Sequence, residues 1–195
     1  MTGPGERGPR KLRLFYALWP GESLRRRLAA SARAAVTGIE GRPVPPGNLH
    51  VTLAFVGAVP GARLAELISI GGEGTRPGVA LRFERAEYWT KARILVAMPA
   101  AVPESGRQIV ERLWDRLEPL GWTREARPWQ PHLTLLRRVR RAPAQEPRFS
   151  PPVTGGERDW RLALVESASH PEGPRYKPLA DWPLAASEDS GDRPL

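Results

Sequence analysis

Residues 50–56 read His50-Val51-Thr52-Leu53-Ala54-Phe55-Val56, and residues 132–136 read His132-Leu133-Thr134-Leu135-Leu136. Each is an apolar run opened by a histidine, with a threonine two positions on. Side chains of a strand alternate between its faces, so His50 shares a face with Thr52, and His132 with Thr134. The chain has three histidines, and two of them stand at the same place in the same tripeptide.

The surroundings of the two runs repeat as well. Thirty-seven residues before His50, Arg13-Leu14-Phe15-Tyr16-Ala17 opens an apolar segment closed by Trp19-Pro20; 39 residues before His132, Arg93-Ile94-Leu95-Val96-Ala97 opens another closed by Met98-Pro99. Both read as buried strands stopped by proline. After the first, Leu24, Leu28, Ala32 and Ala35/Val36 recur at helical spacing with Gly38 as terminator; after the second, Ile109/Val110, Leu113/Trp114, Leu117 and Leu120 recur with Gly121. Arginines and acids fill the opposite faces, the pattern of amphipathic helices lying on a sheet. A further strand is predicted at 79–89 and again at 160–166. The order strand–helix–strand–strand thus occurs twice with a period of 80 to 82 residues. It predicts an α+β fold: two similar lobes, about 12–90 and 91–184, with mostly antiparallel sheets, matching strands facing each other across a central cleft, and an exchange of terminal strands allowed. The Pro/Gly-rich segments 41–47, 71–78 and 142–156 read as loops. The ends, 1–11 and 185–195, read as disordered tails.

Composition narrows the function classes. With 195 residues, 41% hydrophobic and 26% charged, the chain suits one globular domain. It has no cysteine, which removes disulfides, thiolate metal sites and a cysteine nucleophile. No apolar stretch is long enough to span a bilayer and no leader segment opens the chain, so a cytoplasmic location, likewise a monomer, is expected. The net charge of +9 favours polyanions such as RNA, although only Lys11, Lys91 and Lys177 are lysines and so strong an arginine bias also arises from coding composition.

Two convergent His/Thr faces suit a reaction at phosphorus. One neutral imidazole takes a proton from water while an imidazolium protonates the departing oxygen; threonine hydroxyls and an arginine hold the non-bridging oxygens. A zinc site would need carboxylates, and neither motif contains one, so no metal or cofactor is expected.

The fuller motifs, Asn48-Leu49-His50-Val51-Thr52-Leu53-Ala54-Phe55-Val56-Gly57 and Pro131-His132-Leu133-Thr134-Leu135-Leu136-Arg137, resemble those of the 2H phosphoesterase superfamily, and within it the bacterial and archaeal RNA 2′,3′-cyclic phosphodiesterases, also called 2′-5′ RNA ligases. The opening Arg13–Leu18 and the closing Leu164–Ser167, Tyr176, Leu179 and Trp182 fit the same pattern, so the resemblance spans roughly residues 12–184. It implies hydrolysis of an RNA 2′,3′-cyclic phosphate to a 2′-phosphate, with His50 as proton donor to the 3′ oxygen and His132 as proton acceptor from water. Its substrates would be cyclic-ended RNA, including tRNA halves or nucleotides. It also implies substrate-binding roles for an aromatic residue five positions after the first histidine, Phe55, and an arginine five after the second, Arg137. Strand parity sends both to the face away from the histidines, and they reach the site only where the strand bulges. Val96 stands where many relatives carry tryptophan, and 71–78 is glycine-rich where a longer helix is usual. His170 lies in a Ser-His-Pro-Glu-Gly loop outside the repeat. Two other readings share these residues: 2′-5′ ligation or 2′-5′ phosphodiester cleavage at the same site, and a non-catalytic module that binds RNA or nucleotides.

Overall fold

A computed structural model describes residues 11–74, 76–171 and 173–185. The expected tails lie outside these residues except at their inner ends, where Lys11 begins the first strand and Ala185 bridges Pro77.

The elements run β1 (Lys11–Pro20), α1 (Glu22–Ala35), β2 (Arg42–Pro43), β3 (Val51–Pro60), α2 (Leu64–Gly72), β4 (Leu81–Trp89), β5 (Ile94–Pro99), α3 (Glu104–Leu117), β6 (Leu133–Arg137), β7 (Arg148–Gly155), β8 (Trp160–Ala168) and β9 (Arg175–Pro183). The fold is α+β, and every ladder between these strands is antiparallel. Strand order is β7-β4-β5-β6-β3-β1-β8-β9, with β2 on the side of β6. The two histidine strands lie at the centre, joined by the single register pair Val51↔Leu133. Outward from it the order is mirrored: β6, β5, β4, β7 on one side and β3, β1, β8, β9 on the other. The half-sheets do not follow the halves of the sequence. β4 pairs with β5 and β7, whereas β8 returns to β1.

β1 shows how sequence alternation divides the molecule. Its even residues Leu14, Tyr16 and Leu18 enter the main core with Leu24 and Leu28 of α1, Leu67 and Ile70 of α2, and Ile109, Leu113 and Leu117 of α3. Its odd residues Phe15, Ala17 and Trp19 form a second cluster with Ala163 and Val165 on the other face, beside Tyr176. One sheet face is therefore closed by helices, and the other is left for chemistry. Tyr16 Oη donates to Leu67 O at 2.5 Å, tying β1 to α2, and burial raises the phenol's pKa. Gly38 and Gly121 follow α1 and α3 with φ of 78° and 93°, as the terminator reading requires.

The loop expectations fail in part. Segment 142–156 contains β7, which includes Pro151 and Pro152. β7 ends the sheet, and an edge strand tolerates residues without a ladder donor. β9, with Pro178 and Pro183, is the opposite edge and was equally hidden. Segment 41–47 contains β2, and residues 71–72 close α2 rather than open a loop. A β-carbon on Gly71 would lie 2.3 Å from the Trp182 ring, so the glycine lets α2 approach β9.

Candidate active site

His50 and His132 sit just before β3 and β6, where the two strands meet. Parity beyond them is decided by two matching bulges. Along β1 and β3, Tyr16 pairs with Ala54 but Ala17 with Thr52, leaving Leu53 as an extra residue on β3. Along β5 and β6, Leu95 pairs with Leu136 but Val96 with Thr134, leaving Leu135 extra on β6. Both bulges fall three residues after the histidine. Both strands consequently carry two successive buried residues, Leu53-Ala54 and Leu135-Leu136, before alternation resumes in the opposite phase. Phe55 pairs directly with Phe15, whose ring faces His50. Arg137 Nη2 donates to Tyr176 Oη at 3.3 Å, and the Tyr176 ring stands edge-on to His50 at 5.0 Å. The parity objection to Phe55 and Arg137 thus falls: an inserted residue in each strand turns both to the histidine face.

The histidines are held alike. His50 Nδ1 lies 2.7 Å from Asn48 O, and His132 Nδ1 lies 2.9 Å from Gln130 O. A carbonyl only accepts, so each Nδ1 carries the proton and, in the neutral ring, each Nε2 is left as an acceptor. His50 Nε2 meets Thr52 Oγ1 at 3.2 Å, and in neutral His50 it accepts the hydroxyl proton. Thr134, half-buried, pairs with Val96 of β5 and by strand alternation lies on the face of His132. Thr52, Phe55 and His132 line one pocket with Trp89 and Trp129, so the first motif's threonine lies with the second motif's histidine.

The electrostatics are unequal. Burial pushes His50 down to about 4; the nearby charges of Arg137 and His132 add to this, and the Asn48 carbonyl opposes it. His132 is also lowered, mainly by burial, with Arg127 and Arg137 adding and the Gln130 carbonyl and Glu125 opposing. Arg137 therefore acts on both imidazoles. Among the described residues no three His, Asp or Glu side chains gather as a metal ligand set, and no helix is long and apolar enough to cross a membrane.

Several contributors were not singled out from sequence. Phe15, Trp19 and Tyr176 surround His50 at ring distances of 4.9, 5.8 and 5.0 Å. The period-two spacing of Phe15 and Trp19 in a strand buried on both sides was the available signal. Trp89 packs on His132 at 4.5 Å. Trp129 Nε1 donates to Thr52 O at 2.8 Å, and Gly106 leaves room for its ring. Asn48 clasps the segment after β8: its Nδ2 donates to Pro174 O at 2.7 Å and its Oδ1 accepts from Tyr176 N at 3.3 Å. His170 is partly buried at that same turn, where its carbonyl accepts from Gly173 N. Phe55 stays out of the core: 40% of its surface is exposed and Arg13 lies 5.0 Å above its ring.

Known proteins resemble this chain in sequence and in fold. The family model for LigT-like phosphoesterases matches residues 20–96. A protein of Escherichia coli named RNA 2′,3′-cyclic phosphodiesterase is 30% identical over 177 residues, covering 88% of this chain and 96% of its own. A Thermus thermophilus protein of the same name is 31% identical, covering 94% and 98%. Among solved structures, a phosphoesterase superposes with a TM-score of 0.79 at 27% identity, covering 90% of this chain and 99% of its own. Escherichia coli LigT complexed with 3′-AMP gives 0.78 at the same identity and coverage. The chain belongs to the LigT-like, two-histidine (2H) phosphoesterases.

Proposed function

We propose that the chain hydrolyses the 2′,3′-cyclic phosphate at the end of an RNA to a 2′-phosphomonoester, acting in the cytoplasm without a covalent intermediate. The observation that carries this reading is the repeated tether, an Nδ1–H bound to the carbonyl two residues upstream in both motifs. With each Nδ1–H engaged, the two Nε2 atoms remain for proton transfer, one to take a proton and one to give it. The relatives bearing the RNA 2′,3′-cyclic phosphodiesterase name support the substrate class.

In the step itself, His132 Nε2 removes a proton from water as the oxygen attacks phosphorus. The P–O3′ bond breaks, and His50 Nε2–H delivers its proton to O3′. Thr52, Thr134 and Arg137 hold the non-bridging oxygens as charge accumulates, and Phe55 offers a flat face to a base. Burial favours the neutral imidazole of His50, so it becomes an acid only when the substrate's negative charge favours the imidazolium. Thr52 Oγ then exchanges its bond to Nε2 for one to the phosphate. The basic limb of kcat consequently lies at higher pH than that of kcat/KM.

The test is single replacement, His50→Ala and His132→Ala, assayed on a cyclic-ended oligonucleotide with the product identified by phosphorus NMR. Each change lowers kcat by about 10²–10⁴-fold. Near wild-type turnover in either variant, or a 3′-phosphate product, defeats the reading.

A further inference from the structure

The arginines beyond the second motif play no part in the step above. Arg138 follows β6 and Arg93 precedes β5, and each has φ of 53°; among the described residues these are the non-glycine residues with positive φ. That conformation is costly to any residue bearing a β-carbon, so the positions call for glycine or asparagine and hold arginine instead. The two strand ends are locked together: Val139 N donates to Arg93 O at 2.9 Å, and Arg93 Nε to Val139 O at 3.3 Å. Both side chains are exposed.

Between this pair and segment 39–42 runs an open groove of about 870 Å³, lined by Arg42, Arg93, Arg138 and Arg140 with Glu40 as its one acid. Such a volume suits a ligand-sized occupant, for which ~300–1,000 Å³ is usual. The Arg140–Glu40 pair spans 4.0 Å with side chains 78% and 71% exposed, too loose and too wet to neutralise the groove. One wall of the groove neighbours residues beside His50. Arg42 is the ladder partner of Arg137, and its Nη1 lies 3.2 Å from where a β-carbon on Gly173 would stand, against the turn that Asn48 clasps beside His50.

We propose that this groove carries the phosphodiester backbone of the RNA strand whose cyclic end occupies the cleft, with Arg42, Arg93, Arg138 and Arg140 as its phosphate ligands. The inference rests on the proposed function for its substrate class. Guanidinium forks match phosphate oxygens, and contacts to backbone alone impose no sequence preference. Arg93, Arg138 and Arg140 stand beyond the ends of β5 and β6, one residue or more past Arg137, so a longer strand engages them more fully than a mononucleotide does.

The experiment compares wild type with an Arg93→Gly/Arg138→Gly/Arg140→Gln variant on a 2′,3′-cyclic mononucleotide and on a cyclic-ended decamer. Glycine suits the left-handed backbone, so melting temperature is maintained; should it fall, Arg138→Asn with Arg140→Gln supplies the second measure. The expected result is a KM for the decamer raised about tenfold at low salt, and a log–log salt dependence shallower by about 2. Decamer kcat and all mononucleotide kinetics stay unchanged. A decamer KM within twofold of wild type, or an unaltered salt slope, overturns the proposal. Fluorescence anisotropy with a decamer ending in a 2′-phosphate reads the groove without turnover. Equal affinities there overturn the groove alone, whereas a wild type that binds RNA yet hydrolyses no cyclic end overturns the catalytic reading alone.

Discussion

The two halves of the cleft share a tether and differ in the rings and charges around it. At His50 three aromatic rings enclose the imidazole, and only Arg137 and His132 bring charge to it. At His132 one ring, Trp89, packs against the imidazole, while Arg127 and Glu125 stand near. The backbone bond, the threonine two residues on and the bulge at the third position are common to both. What the halves keep in common is the aim of Nε2; what separates them is solvation. Under the proposed mechanism a duplicated geometry serves two opposite proton-transfer roles, with hydration setting which imidazole waits for substrate before taking up charge.

The sharpest way to break this comparison is to ask each histidine for its role separately. With an aryl phosphodiester, whose leaving group needs no proton, His50→Ala keeps most wild-type turnover, while His132→Ala remains down by about 10²–10⁴-fold. Equal losses in both variants on that substrate show that the roles are not divided as proposed.

Next in size is the pH dependence of folding. An unfolded histidine titrates near 6.5, and folded His50 near 4, so between these values the unfolded chain binds more protons. Stability is therefore flat above about pH 6.5 and falls as pH drops toward 4, by up to about 3 kcal/mol from His50. Urea titrations at stepped pH check this. His50→Gln flattens most of the slope and His132→Gln less, in line with the more enclosed surroundings of His50.

A smaller effect is expected at Asn48, which has no ring to protect but joins the His50 segment to Pro174 and to Tyr176 of β9 through two hydrogen bonds. Asn48→Ala lowers stability by about 1–3 kcal/mol, read by chemical denaturation, and lowers kcat by loosening the carbonyl that orients His50. The smallest change is Tyr176→Phe. It removes the hydroxyl that accepts from Arg137 while keeping the ring against His50, so KM rises a few-fold, about 1 kcal/mol or less, with kcat nearly unchanged. A large fall in kcat instead would make the hydroxyl part of the chemistry.

Much of the fold could be read in advance because its signals are local. The strand–helix–strand pattern at 13–56 and 93–136 rests on apolar period, proline stops and glycine terminators, each a property of a few adjacent residues. β7 and β9 were unreadable for the opposite reason. Their prolines argue against a strand unless the strand lies at an edge, and edge position is a fact about neighbours far along the chain. Helix α2 was hidden by Gly71 and Gly72, which look like a loop until the Trp182 ring that needs the space is known.

For the site, the sequence alone determined the pairing of His50 with His132 and of Thr52 with Thr134, since a repeat in register needs no third dimension to be seen. It could not determine where Phe55 and Arg137 point, because an extra residue, Leu53 on β3 and Leu135 on β6, reverses the side chains next after it, a second one on β3, Val56, reverses them again, and only the partner strand records such insertions. Nor could it place Tyr176, which reaches His50 through β9 from more than a hundred residues away. Local pattern fixes which side chains share a strand; register, bulges and burial, all set by distant partners, fix which of them share a cleft and how strongly each holds a proton.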